Sequence, residues 1–174
     1  MPRIDDLVVT YFDPGGPFAG ASFDLLGENP PNALTRDDLL ATTLLDISWR
    51  PLAVRQLLAE GDRIAAALAG IPTNLDLWTA NPADLDAATA LHHWLDALPG
   101  VGPVIASKLL ARKRPRLVPI DDTVVRRALT PPDGQFWVTL AGALTDRVLR
   151  DQIETLRPAG VTPSPCCACS TSLS

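Results

Sequence analysis

Residues Leu98–Arg127 read LPGVGPVIASKLLARKRPRLVPIDDTVVRR. Within Leu98-Pro99-Gly100-Val101-Gly102, two glycines allow a tight turn and let another backbone approach without a Cβ in the way. Pro103 favours a helix start, because the N–H it lacks would have no helical partner there. Backbone N–H groups at Gly100, Gly102 and the first helical turn then point outward together, which is how a helix N-terminus captures phosphate oxygens. Lys108 sits further along that helix and adds charge. Arg112, Lys113, Arg114 and Arg116 follow, then a proline-spaced connector, then Asp121-Asp122 ahead of Thr123-Val124-Val125. Each part also has a plain structural meaning. A Pro-Gly-Val-Gly between helices makes an ordinary helical hairpin, an Asp before Thr-Val-Val caps a helix, and a run of cations coats a solvated face.

The rest of the composition favours helices. Hydrophobic residues make up 47% of the chain and aromatics 5%, with Ala and Leu prominent, so an all-α fold is expected. A short strand or extended arm at Leu7–Phe12 is the one exception the pattern allows. At 174 residues the chain has room for one domain with its own core. The net charge of −5 alone speaks against general affinity for nucleic acid. Its distribution does not: between Gly100 and Thr130 seven cations face two aspartates, giving +5 there and −10 elsewhere. An acidic body with one basic face suits a DNA reader.

No apolar run is long enough for a membrane span, and MPRIDDLVV lacks the core of a signal peptide. The three cysteines, Cys166, Cys167 and Cys169, are too crowded and too few for a disulfide framework. These features predict a soluble, cytoplasmic protein with no membrane partner.

Local signals place further helices. Thr35 is an expected N-cap, with Asp37 and Asp38 in the first turn of a helix running to about Asp46. Pro51 starts the next, carrying Leu52, Val54, Leu57 and Leu58, and Ile64–Ala69 is another. Asn81-Pro82 begins a helix to about Leu95 through Leu85, Ala88, Leu91 and Trp94. Val124–Leu129 and a long segment from Phe136 to Leu156 complete the pattern. The expected domain is 1–156, with a helix-hairpin-helix at about 90–112. Residues 157–174 lack periodicity and are expected to be a disordered tail. One back-translation of the last nine residues, shifted by one base, gives an apolar helix-like string, so a frameshift near Pro165 is also expected. Sequencing the gene decides that point.

The segment Leu98–Arg127 resembles the helix-hairpin-helix and Gly/Pro-rich-loop-plus-Asp signature (HhH-GPD) of base-excision DNA glycosylases. In that superfamily a hairpin of the form L-P-G-[VI]-G is followed about twenty residues later by an Asp at a helix start. Gly100 and Asp122 are 22 positions apart. Leu39–Leu58 is similar, more weakly, to the early helix-loop-helix bordering the base pocket. The two stretches cover under a third of the chain.

The resemblance implies an all-α glycosylase-like domain that binds double-stranded DNA as a monomer, associated with the nucleoid, and acts in DNA repair. It implies hydrolysis of the N-glycosidic bond of a flipped, damaged or modified base. Asp122 would be the catalytic carboxylate, with Asp121 second. Such a carboxylate stabilises the positive charge that develops on the sugar or orients water, and the base must leave the stack first. DNA contacts would fall on Gly100, Val101, Gly102, Val104, Lys108, Arg112 and Lys113. The base pocket would lie near Ser48 and Trp49. The backbone carbonyls of Asp96, Leu98 and Val101 would hold a monovalent cation, K+ or Na+.

Two departures from the family pattern narrow the expectation. Bifunctional members carry a Lys nucleophile where this chain has Val104, and valine forms no Schiff base, so a monofunctional enzyme is expected. The tail cysteines lack the spacing of an iron–sulfur loop, so no such cluster is expected and no cofactor is required. His92 and His93 are adjacent and diverge by about 100° on a helix, which is unsuited to a shared metal. Trp78, Trp94 and Trp137 read as core residues. The competing reading is a non-catalytic helix-hairpin-helix module that binds DNA, and beyond it a helical interaction protein with a basic patch.

Overall fold

In the computed structural model, which describes residues 3–121 and 123–156, ten α-helices and one 3-10 turn follow one another, and no strand occurs among the described residues. The helices are α1 (Ile4–Tyr11), α2 (Gly20–Leu25), α3 (Arg36–Thr43), α4 (Pro51–Ala59), α5 (Gly61–Ala69), α6 (Pro82–Asp96), α7 (Gly102–Lys113), α8 (Thr123–Leu129), α9 (Phe136–Ala143) and α10 (Arg147–Thr155). The 3-10 turn is Leu77–Thr79. The all-α expectation holds, and no helix of the described residues is long and apolar enough to cross a membrane. The expected tail at 157–174 lies outside the described residues.

The helix starts follow from their caps. Thr35 and Asp38 form a reciprocal capping box on α3, and Asn81 and Asp84 form another on α6, where Pro82 opens the first turn. Each box satisfies two backbone N–H groups that a helix start would otherwise leave without partners. Pro51 starts α4 in the same way.

The antiparallel pair α6–α7 forms the most extensive helix–helix contact of the fold. From α6, Leu85, Ala88, Leu91 and Leu95 point inward, and α7 answers with Ile105, Ala106, Leu109 and Leu110. Leu57, Ile64 and Leu68 close this core from α4 and α5. A fully buried leucine contributes about 1.5–3 kcal/mol relative to an exposed one, so a core of this kind sets the fold.

Three sequence expectations change, and one segment without a forecast gains a structure. Leu7–Phe12 is not a strand: most of it lies in α1, since a lone extended segment would leave its backbone groups without partners, whereas a helix satisfies them internally. Gly20–Leu25, which gave no clear signal, is a short helix. The segment from Phe136 to Leu156 breaks at Thr145-Asp146, because the Asp146 side chain accepts from the Val148 N–H and caps a new helix, α10. On α4, Leu57 is buried as expected, but Leu52 and Leu58 are exposed and Ala53 is buried beside Leu57.

Candidate functional site

The turn between α6 and α7 takes the form its glycines predict. Gly100 and Gly102 have φ of 86° and 72°, the left-handed region that costs an L-residue about 1–2 kcal/mol. Val101 between them is buried and anchors the loop through its N–H, which donates to the Leu98 carbonyl at 3.0 Å. Val104 is exposed in the first turn of α7, so the hairpin tip and helix start face solvent. A Cβ on Gly100 would lie 3.4 Å from the Ala53 side chain and 3.6 Å from the Arg50 side chain, which places α4 directly behind the turn. Exposed Arg50 therefore flanks the hairpin.

The connector at Asp121 is tied to the same helix. The Asp121 N–H donates to Ser107 Oγ at 2.9 Å, and Ser107 is buried on α7 five residues beyond Gly102. At 1.5 Å rise per residue, that is about 7.5 Å of helix. The Asp121 carboxylate receives both Arg126 Nε, at 2.9 Å, and Arg126 Nη2. Arg126 also lies over the Phe136 ring, 5.4 Å from its centroid. Asp122 itself lies outside the described residues.

Half-buried His92 closes the inner side of this corner. Its Nε2 lies 3.2 Å from the Pro103 carbonyl, an acceptor, so Nε2 carries the proton. Its ring meets Trp137 edge-on at 5.4 Å, and Trp137 Nε1 donates to the Pro119 carbonyl at 3.1 Å. Burial pushes the imidazole pKa below 6.5, outweighing the Pro103 bond and the carboxylates of Asp96 and Asp121, while His93 adds a small lowering. This histidine connects hairpin, connector and α9, and its position was not readable from the adjacent pair His92-His93.

The far end of α7 overturns a sequence expectation. Arg112 and Lys113, expected to face DNA, are 1% and 5% exposed, and Arg114 is fully buried. Arg112 Nε and Lys113 Nζ both reach the buried carboxylate of Asp38, at 2.8 Å and 2.5 Å. The Arg112 guanidinium also donates to the carbonyls of Phe23 and Leu26. Lys113 donates to Asn29 and Pro30, and Arg114 to Pro31, Asn32, Leu68 and Ile71. Arg116 pairs with Asp76 through two oxygens, at 2.8 and 2.6 Å. A cation enters the interior only when its donors are met, and here Asp38, the 23–32 segment, Leu68 and Ile71 meet them. Burial lowers the Lys113 pKa against the raising effect of Asp38.

The remaining site residues are scattered. Lys108, partly buried, spends its ammonium on the Leu45 carbonyl. Trp49 donates from Nε1 to the Leu39 carbonyl at 2.8 Å and packs on the core, which makes it a bracket for the α3–α4 junction, with Ser48 exposed beside it. Among the described residues no group of three or more His, Cys, Asp or Glu side chains could hold a metal.

Residues 4–164 match the model of a family described as a family of unknown function, DUF6308. The chain belongs to the DUF6308 family. No curated protein and no solved structure matches it. In this DUF6308 chain, the residues that the structure brings together at the hairpin are Arg50, Gly100, Gly102, Pro103, His92, Ser107 and Asp121. Arg50 carried a faint signal as the cation immediately before a helix-starting proline. Ser107 carried none, because a Ser inside a helix pattern reads as neutral filler.

Proposed function

We propose that the protein grips a DNA backbone with the α6–α7 hairpin and hydrolyses the N-glycosidic bond of a flipped base, without a lyase step. The observation that carries this reading is the bond from Asp121 N–H to Ser107, which holds Asp121, the residue before Asp122, against the helix whose N-terminus the hairpin presents. A phosphate at the N–H groups of α7 would then lie about one and a half helical turns from a carboxylate. Because Arg126 occupies both oxygens of Asp121, Asp122 is the carboxylate assigned to the sugar. Arg50 supplies the cation beside the hairpin. Val104 leaves the first turn without an amine, which supports hydrolysis over Schiff-base chemistry.

The same Arg126 pairing favours a second reading, in which the Asp pair only brackets α8 and the hairpin binds DNA without chemistry. One experiment separates them. Duplexes carrying alkylated, deaminated or oxidised bases are incubated with the protein, and abasic sites are then cleaved with alkali. Hydrolysis predicts strand breaks that Asp122→Asn abolishes while duplex affinity stays within about threefold, a change under 1 kcal/mol. Breaks that persist at the wild-type rate in Asp122→Asn remove that residue from the mechanism. Binding without breaks on any duplex leaves the non-catalytic module.

A further inference from the structure

A cavity of about 310 Å³ opens between the N-terminal helices and the connector after α7. Tyr11, Phe12 and Phe23 form its aromatic side, Leu45 its apolar wall, and Ile120, the residue before the Asp pair, its far edge. Asp24, an exposed residue, lines it too, and no described residue donates a hydrogen bond to its carboxylate. We propose that this cavity binds a planar nitrogen heterocycle of one or two rings through an N–H edge that donates to Asp24.

Size, lining and position agree on that ligand. Small-molecule sites run from about 300 to 1,000 Å³, so this one suits a small ring system. Aromatic and aliphatic walls favour a flat ring, and a few polar groups fix its orientation. Here the available polar group is an acceptor, which selects a ligand edge carrying N–H. Burial raises the Asp24 carboxyl above its ordinary range, with Arg112 opposing, so a donor brought against it restores solvation that the carboxylate has lost. The Tyr11 ring is held by the backbone: a Cβ on Gly20 would fall 2.8 Å from it, so only glycine allows α2 to pass so close. Tyr11 also meets Phe12 edge-on at 5.1 Å.

The site deepens the hydrolase reading, for which it would be the base pocket, because Ile120 joins it directly to Asp121. It replaces the expectation of a pocket at Ser48 and Trp49. Its test needs no DNA, so the two ideas can fail separately. The full chain is titrated with free adenine to millimolar concentration and followed by two-dimensional NMR, with toluene as an apolar ring of similar shape.

Saturable shifts confined to Tyr11, Phe12, Leu45 and Ile120 are expected. Asp24→Asn, close in shape and partly solvent-facing, should weaken adenine about tenfold, the scale of one hydrogen bond to a charged acceptor, and leave toluene unchanged. Tyr11→Leu should weaken both. Absence of saturable shifts in the folded wild type overturns the site, as does equal adenine affinity in wild type and Asp24→Asn. Adenine binding without abasic-site formation keeps the pocket and removes the hydrolysis. Abasic-site formation without ring binding at these residues does the reverse.

Discussion

The two ends of α7 use positive charge in opposite ways. At the start, the backbone N–H groups of Gly102 and exposed Val104 stand at the open end of the helix, Pro103 between them having none, and the cation beside the turn, Arg50, precedes another helix. At the finish, Arg112 and Lys113 share the buried carboxylate of Asp38, and Arg114 is surrounded by carbonyls. Both ends would read as basic or anion-binding in a sequence plot. Only the first is open to a phosphate. The lesson concerns which donors are already satisfied: a guanidinium with its hydrogen bonds filled from within is structural, whatever its charge.

That contrast can be broken most sharply at Asp38. Asp38→Ala would strand two buried cations, and removing one partner of a buried pair costs about 3–5 kcal/mol. Urea unfolding should show a midpoint far below wild type, or no folded protein at all. If Asp38→Ala kept its stability and lost DNA affinity, the inward assignment of the basic helix would be wrong.

Arg50→Ala tests the other end and should do less. Duplex affinity should fall about five- to tenfold at low salt, roughly 1–1.4 kcal/mol, with the melting curve unchanged. The slope of log affinity against log salt should become shallower by about 0.9, as for one lost phosphate contact. Arg112→Ala should show the opposite pattern, a lower melting point with little direct effect on binding by whatever protein remains folded.

The smallest effect concerns His92. Its pKa is lower in the folded state than the ordinary 6.5, so the unfolded chain takes up the proton first as pH falls. Stability is therefore full above pH 6.5 and declines as pH drops through the folded value. His92→Asn should flatten the stability profile just below pH 6.5, in a window above that of ordinary carboxylates, as read by chemical denaturation at closely spaced pH values.

Much of the fold was legible because its signals are local. Thr35, Asn81, Pro51 and Pro82 mark helix starts through bonds made within four residues, and the hairpin glycines declare their own φ. Periodicity was less reliable where a small residue replaced a large one at the contact. Leu52 and Leu58 face solvent because Ala53 lets α4 approach the hairpin turn. The direction in which the cations point was not legible, since acceptors such as the Ile71 and Phe23 carbonyls lie 43 and 89 residues away in sequence. At the site, the glycines announced the hairpin, while the choice of Asp122 came only from the family resemblance. The Ser107 and Arg126 bonds that Asp121 makes exist only once α7 and the connector have folded together.

The loop that shelters those cations sets a schedule for the newborn chain. Pro31 accepts from Arg114 across 83 positions, so its carbonyl is made long before its donor. At about 5–20 residues per second, a ribosome leaves that loop waiting roughly 4–17 s. During that interval the carbonyls of Phe23 and Leu26 lack the Arg112 guanidinium that they accept from in the folded chain. An N-terminal truncation that removed the loop would be felt at the other end of the waiting period, by three cations arriving at an interior where only Asp38, Leu68 and Ile71 remain to receive them.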